Sequence, residues 1–374
     1  MNRNAPVKKN LLPTDKVFRI VFFSCEPGGA EILIPVIRLL QKLPNYEVTV
    51  LSYGHGLARF AAKNIPCQII SKLVPHEMDL LTKLRPNVLI TSATSLPDRD
   101  MSERYLWVGA RELGIPSIAF LDQWQNYALR FSGCGENERL RYLPDYINCI
   151  NAVAQKDMLA EGFEEHRLKM FGHPYLSSLK EIYNQLDKHE ITTRLHLPPD
   201  QPVALFVSEA IAEHYGRSRG YDQYDALRLF FDIIAASPQK LKPLIKLHPK
   251  DEREGYEIIL SDYTELSPFI IQGELNSLEC IKIADDVYGM TSIMLIEAFT
   301  LGKRVVSLQP GLAGSDLMVL SKLGYIKKCT TQQFTGTFDA PSVSPNNPFE
   351  FDFNESAFLE FLNTILLQTH RNGG

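Results

Sequence analysis

One stretch limits the folds open to this chain more than any other. Ala284–Pro310, ADDVYGMTSIMLIEAFTLGKRVVSLQP, reads as strand, tight turn, helix, strand. Asp286–Gly289 is a strand end. Thr291 and Ser292 stand where a helix begins, with hydroxyls able to cap its first N–H groups. Ile293–Leu301 continues the helix, Gly302 ends it, and Val305–Leu308 is an apolar, β-branched strand of the buried kind. The helix is apolar all round, and Glu297 is its one charge. A carboxylate on such a helix needs a partner. A pair of ligand hydroxyls would serve, and so would Lys303, Arg304 or Lys246.

The same plan runs through the chain. Val17–Ser24, Tyr46–Leu51, Cys67–Ile70, Asn87–Thr91 and Ile115–Leu121 read as strands, followed by Tyr146–Ile150 and Lys169–Phe171. Helical spacing lies between them, over Ile32–Leu43, His76–Leu84, Glu103–Leu113 and Gln155–Glu161. The second half starts again with Val203–Ser208, then Leu244–His248 cut off by Pro249, then Phe269–Gln272. Ala210–Tyr221 reads as a loop carrying His214, Arg217 and Arg219. Strands alternating with helices at this spacing mean βαβ units and parallel sheets.

The chain has 374 residues, enough for two domains with their own cores. The expected organisation is a disordered lead-in at 1–15, an α/β domain over 16–175 and a linker over 176–202. A second α/β domain covers 203–354, with a loop-like end from 329, and a helix and tail cover 355–374. Hydrophobic residues make up 45% and charged residues 22%, which is ordinary for a soluble protein, and a net charge of −5 gives no reason to expect nucleic acid binding. Six scattered cysteines without a CxxC pair read as free thiols in a reducing compartment. No metal-ligand spacing appears. The first residues lack the apolar core of a signal peptide, and no window approaches the length of a membrane span. A cytoplasmic location is expected, with peripheral contact to the inner membrane left open.

In doubly wound sheets, ligands bind at the carboxyl ends of the strands. The candidate residues all fall at such ends. After the first strand comes EPGGAE, where Gly28 and Gly29 either let an acceptor approach the backbone or serve a tight turn. Glu31 suits the helix dipole and can equally be a base. After the fifth strand comes LDQWQNY. Asp122 beside Trp124 suits a sugar acceptor, with the ring under the sugar and the carboxylate taking a hydroxyl proton; a turn residue beside a packing ring reads as well. Ser208-Glu209 ends the first strand of the second half. In KLHPK, Lys246 and His248 share one strand face and can neutralise a diphosphate or protonate a leaving phosphate. Thr291 and Ser292 complete a phosphate site at a helix start.

These motifs resemble the GT-B glycosyltransferases, two Rossmann-like doubly wound domains facing across a cleft, over residues 17–365. His248-Pro249 followed by the hydroxyls at 291–292 is similar to the motifs of bacterial sialyltransferases and polysialyltransferases, and to elements of CDP-glycerol glycerophosphotransferases. There the His and hydroxyls hold the donor phosphate, a role this implies for His248, Thr291 and Ser292. The Glu-Ala of IEAFTLGKRVV is similar to the GT-B ribose-binding Glu, which maps to Glu297. The opening strand and EPGGAE resemble the start of lipid-A-disaccharide synthase and of nucleotide-sugar 2-epimerases. The chain departs from these patterns too: no acidic D/E-D/E-G motif stands in the first half, Gly289 falls where the first Glu of an EX7E pattern would be, and the epimerase signature around the second-domain turn is missing.

The resemblance implies a glycosyltransferase in surface polysaccharide or glycan biosynthesis. It would move a sugar from a nucleotide-sugar to a carbohydrate or lipid-linked acceptor, by inversion, with no metal and no cofactor beyond that substrate. Asp122, Glu31 and His248 would be catalytic. Ser208, Glu209, Lys246, His248, Thr291, Ser292 and Glu297 would hold the donor; Gly28, Gly29 and Trp124 would hold the acceptor. The alternatives are a CDP-glycerol-type glycerophosphotransferase and a non-catalytic glycan- or protein-binding homologue.

Overall fold

The computed structural model describes residues 16–75, 79–198, 201–331 and 349–372. The lead-in at 1–15, the first turn of the helix expected from His76 and most of the loop expected over 329–354 lie outside them, as does the side chain of His214. The chain divides into two compact units. One holds the described residues up to Ser178 and those from Phe349 onward; the other begins at Leu179.

In the first unit the strands are β1 (Phe18–Phe23), β2 (Tyr46–Ser52), β3 (Gln68–Ile69), β4 (Val88–Thr91), β5 (Ser117–Phe120), β6 (Tyr146–Asn148) and β7 (Leu168–Lys169). Their order is β3-β2-β1-β4-β5-β6-β7, and every pair is parallel. The second unit has β8 (Val203–Val207), β9 (Lys242–Lys246), β10 (Phe269–Ile271), β11 (Asp286–Gly289), β12 (Arg304–Leu308) and β13 (Lys327–Cys329). Its order, β10-β9-β8-β11-β12-β13, repeats the plan, again all parallel.

The sequence dictates this directly. All residues of β4, β5, β8 and β11 are buried. Strands covered on both faces read as continuous apolar runs, because helices lie above and below them. In each unit the chain steps outward for two strands, then returns to the far side of the first. The loops after β1 and β4 therefore diverge, and so do those after β8 and β11. Each divergence is a reversal point at the carboxyl edge of its sheet, where such folds bind ligands. In the second unit Val207 pairs with both Lys246 and Gly289, so three strand ends finish level there.

Four expectations change. The helix Glu355–Asn372 packs on the first unit, although it follows the second in sequence: Phe358, Leu362, Ile365 and Leu366 are buried in the cluster of Phe18, Ile20, Phe22 and Phe120. Burying each such side chain favours this docking by roughly 1.5–3 kcal/mol. The connecting stretch, expected as one helix and a polar tail, holds two helices, Pro174–Asn184 and Lys188–Arg194, the second capped by Asp187. The loop expected over 210–221 contains the helix Ile211–Tyr215. Finally, β9 stops at Lys246, because Asp251 takes the His248 N–H at 2.8 Å and turns the chain. The six cysteines are free, four of them buried. Among the described residues, no helix is long and apolar enough to cross a membrane.

Candidate functional site

At the reversal point of the second unit, Ser208 and Glu209 follow β8, and Met290–Ser292 lead from β11 into the helix Ile293–Thr300. Ser292 is its N-cap, with Oγ accepting from the Met294 N–H at 3.3 Å. Thr291 is engaged otherwise. Its N–H donates to Glu209 Oε2 at 2.9 Å, and its hydroxyl donates to the same carboxylate, 2.8 Å from Oε1. Thr291 thus spends both of its donors on the protein's own carboxylate. Burial pushes the Glu209 carboxyl above its ordinary range, and the two Thr291 donors work against that rise.

Lys246 ends β9 and donates from Nζ to the Leu275 carbonyl at 2.9 Å. Its own carbonyl accepts the Ser208 N–H at 2.9 Å. Nδ1 of His248 accepts the Lys250 N–H at 3.2 Å, so the neutral ring carries its proton on Nε2. Burial lowers the His248 ring below its usual value, and nearby Asp251 counters this. Glu297 is 3% exposed. The three cations weighed as its partners make these bonds. Lys303 donates to the carbonyls of Ala284 at 2.6 Å and Lys282 at 3.3 Å, Arg304 pairs with Asp286, and Lys246 is held as above. The basic segment splits: Arg217 is exposed and pairs with Asp222 and Asp225, while Arg219 is buried and donates to the Ser315 carbonyl at 2.9 Å.

At the reversal point of the first unit, two buried hydroxyls meet. Ser24 Oγ and Ser92 Oγ are 2.9 Å apart, and Ser92 also bonds the buried carboxyl of Glu103. Glu103 accepts the Thr94 N–H as well. The protein's own side chains crowd both glycines here. A Cβ on Gly29 would fall against Ser92 Oγ and 2.5 Å from Ser24 Oγ; one on Gly28 would lie 2.6 Å from Asp122 Oδ2.

Asp122 is firmly held. Its Oδ1 accepts from Arg130 Nη1 at 2.7 Å, and Arg130 is buried, donating also to the carbonyls of Ala93 and Gln125. The Asp122 carbonyl lies 3.1 Å from His173 Nε2, while His173 Nδ1 accepts the Leu176 N–H at 3.2 Å. That pairing fixes the tautomer: Nε2–H donates to Asp122. Burial pushes this imidazole down to about 4. Trp124, read either as lying beneath a sugar or as packing, is 3% exposed. It stacks on His173 at 5.7 Å, meets Phe349 at 5.1 Å and donates to Asn151 Oδ1 at 2.9 Å. It is a packing ring. Glu31 is buried and paired with Arg59, which turns it toward the helix Gly54–Ala62 and leaves Asp122 as the carboxylate facing the Gly28 turn.

Sequence reasoning missed Arg130, His173, Ser24, Ser92 and Glu103 in this unit, and Asp251 and Tyr256 in the other. Glu103 left a signal, since it stands three and four residues before the buried Leu106 and Trp107, on the core face of its helix.

No family model matches the chain. UDP-N-acetylglucosamine 2-epimerase of Escherichia coli (strain K12) is 23% identical to it over 258 residues, 64% of this chain and 63% of that relative. The chain thus matches under two thirds of the relative's length. Among solved structures, an S. aureus MnaA–UDP co-structure superposes with a TM-score of 0.63 at 13% identity, covering 85% of each chain. Methanocaldococcus jannaschii UDP-GlcNAc 2-epimerase in complex with UDP-GlcNAc and UDP gives 0.61 at 15% identity, covering 84% of this chain and 89% of that one. The fold is of the GT-B class. The E. coli and M. jannaschii proteins are UDP-GlcNAc 2-epimerases, and the comparisons lend no support to the sialyltransferase-like and CDP-glycerol-type resemblances.

Proposed function

We propose that the protein is an enzyme that binds a UDP-linked sugar and epimerises it at the sugar ring, with C2 of UDP-N-acetylglucosamine as the first substrate to test. The choice of reaction is supported by one observation, the 258-residue likeness to the E. coli epimerase. The nucleotide part is supported by the second reversal point. There the amino end of the helix Ile293–Thr300, its cap Ser292, and Lys246 and His248 gather at neighbouring strand ends. Such a set offers N–H and O–H donors and positive charge to a diphosphate. Glu297 is assigned to the ribose diol.

Inverting C2 requires a group that removes its proton while the C1–O bond to UDP breaks, and then a proton delivered to the opposite face of C2 as UDP adds back at C1. In this reading that group is Asp122. Arg130 fixes one carboxylate oxygen, and the other faces the Gly28 turn. Proton NMR in D2O tests the proposal without an acceptor. UDP-N-acetylglucosamine should lose its C2 proton signal to exchange, and a second set of hexosamine signals should appear. Asp122→Asn should abolish both while UDP still raises the melting temperature.

Glycosyl transfer is the second reading, favoured by His248-Pro249 followed by the hydroxyls at 291–292. It expects no C2 exchange, and UDP release only when a carbohydrate or lipid-linked acceptor is added. A phosphodiester product would instead mark a glycerophosphotransferase.

A further inference from the structure

The hydroxyl protons at the second reversal point have fixed directions. Tyr256 is wholly buried, and its hydroxyl donates to Asp251 Oδ2 at 2.8 Å. A phenol has one proton. The hydrogen bond between Tyr256 and Ser208 is therefore donated by Ser208. Asp251 cannot swing away: it is 8% exposed, and the same Oδ2 accepts the His248 N–H at 2.8 Å. Burial raises the Tyr256 hydroxyl far above its usual range, so it keeps its proton. Thr291 likewise directs its proton to Glu209. Ser292 differs, since its oxygen accepts from Met294 N–H and its proton is not used in that bond.

We propose that Tyr256 and Asp251 are positioning residues of the nucleotide site, which draw the Ser208 proton inward and make Ser208 an acceptor for an N–H or O–H donor on the nucleoside. This rests on the UDP-sugar reading above. A serine in that state has no proton left for a phosphate oxygen, because its hydroxyl is already committed to Tyr256. It suits a ribose hydroxyl or the imide N–H of uracil. Ser292 is then the side-chain hydroxyl that donates to the diphosphate. The four hydroxyl-bearing and acidic positions after β8 and β11 thus split by role: Ser292 a donor, Ser208 an acceptor, Thr291 and Glu209 closed on each other.

The test is calorimetric binding of UDP to the full chain, as wild type, Ser208→Ala, Tyr256→Phe and the double variant. Each single variant should weaken binding by about two- to tenfold, the net worth of one hydrogen bond. The double variant should bind no more weakly than Ser208→Ala alone, because both act through one lone pair. A purely structural role for Tyr256 would give additive losses. Three analogues then name the donor: N3-methyl-UDP, 2′-deoxy-UDP and 3′-deoxy-UDP. One should lose the same factor in wild type and nothing further in Ser208→Ala. Additive losses overturn the inference, and so does a Ser208→Ala variant that binds UDP like wild type. Wild-type binding that Ser292→Ala weakens leaves the nucleotide reading standing in those cases. If wild type does not bind UDP, both fall. Should Tyr256→Phe fail to fold, Ser208→Ala with the three analogues decides alone.

Discussion

Glu103 and His173 oppose each other on the pH axis, and one substitution separates them. Each is 1% exposed in the first unit. Burial pushes the Glu103 carboxyl up from 4.5 to about 7, and the His173 imidazole down from 6.5 to about 4. Between pH 4.5 and 7 the folded chain keeps the Glu103 proton that the unfolded chain has released. That group favours folding at the acid end, and the advantage is lost as pH rises. Between pH 4 and 6.5 the unfolded chain takes a proton that folded His173 refuses, so its contribution is full above 6.5 and is lost as pH falls. Over the shared window the two slopes cancel. Glu103→Gln keeps a neutral group against Ser92 and the Thr94 N–H, and removes one slope. The variant should then lose about 3 kcal/mol relative to wild type between pH 6.5 and 4.5, at about 1.4 kcal/mol per pH unit. Tryptophan fluorescence in urea reads this unit alone, because both tryptophans of the chain, Trp107 and Trp124, lie in it. A stability difference between variant and wild type that stays constant from pH 6.5 to 4.5 would refute the reasoning.

Other outcomes are expected at named positions. Arg130→Met strands the Asp122 carboxylate and two carbonyls in a buried setting; it should cost about 3 kcal/mol, lowering the melting temperature of the tryptophan-reported transition by roughly 6–12 °C. Asp122→Asn in the same chain should recover part of that loss. Gly29→Ala forces a methyl between the hydroxyls of Ser24 and Ser92; the urea midpoint of the first unit should fall by a margin well outside error, with an unchanged m-value. Ser292→Ala removes a helix cap and should cost about 1 kcal/mol by urea unfolding of the second unit, and the rise in melting temperature with UDP should shrink beyond that baseline change.

The fold was legible because its signal is local. Buried parallel strands are continuous apolar runs, and β1, β2, β4, β5 and β8 stand where those runs do. What was not legible depends on where a face goes. The spacing of Phe358, Leu362, Ile365 and Leu366 sets a helix and its apolar side, but not the sheet it covers, and the chain returns it to the first unit. Trp124 shows the same gap. Its place after β5 puts it at a sheet edge, but only the fold brings His173 and Phe349 against its ring and removes it from solvent.

The site residues divide on a finer point. Position was readable, since Ser208, Glu209, Lys246, Thr291 and Ser292 do stand at the carboxyl ends of β8, β9 and β11. Polarity was not. Whether a serine at such an end donates or accepts depends on a second partner. For Ser208 that partner is Tyr256, 48 residues away, itself oriented by Asp251. For Thr291 it is Glu209, 82 residues away. A motif of hydroxyls at a helix start therefore does not by itself assign donors and acceptors. Two chains with the same motif can present opposite faces to a phosphate. If Ser208 does accept from the nucleoside, then Tyr256 and Asp251, which no strand-end motif points to, set which nucleotide the second unit prefers.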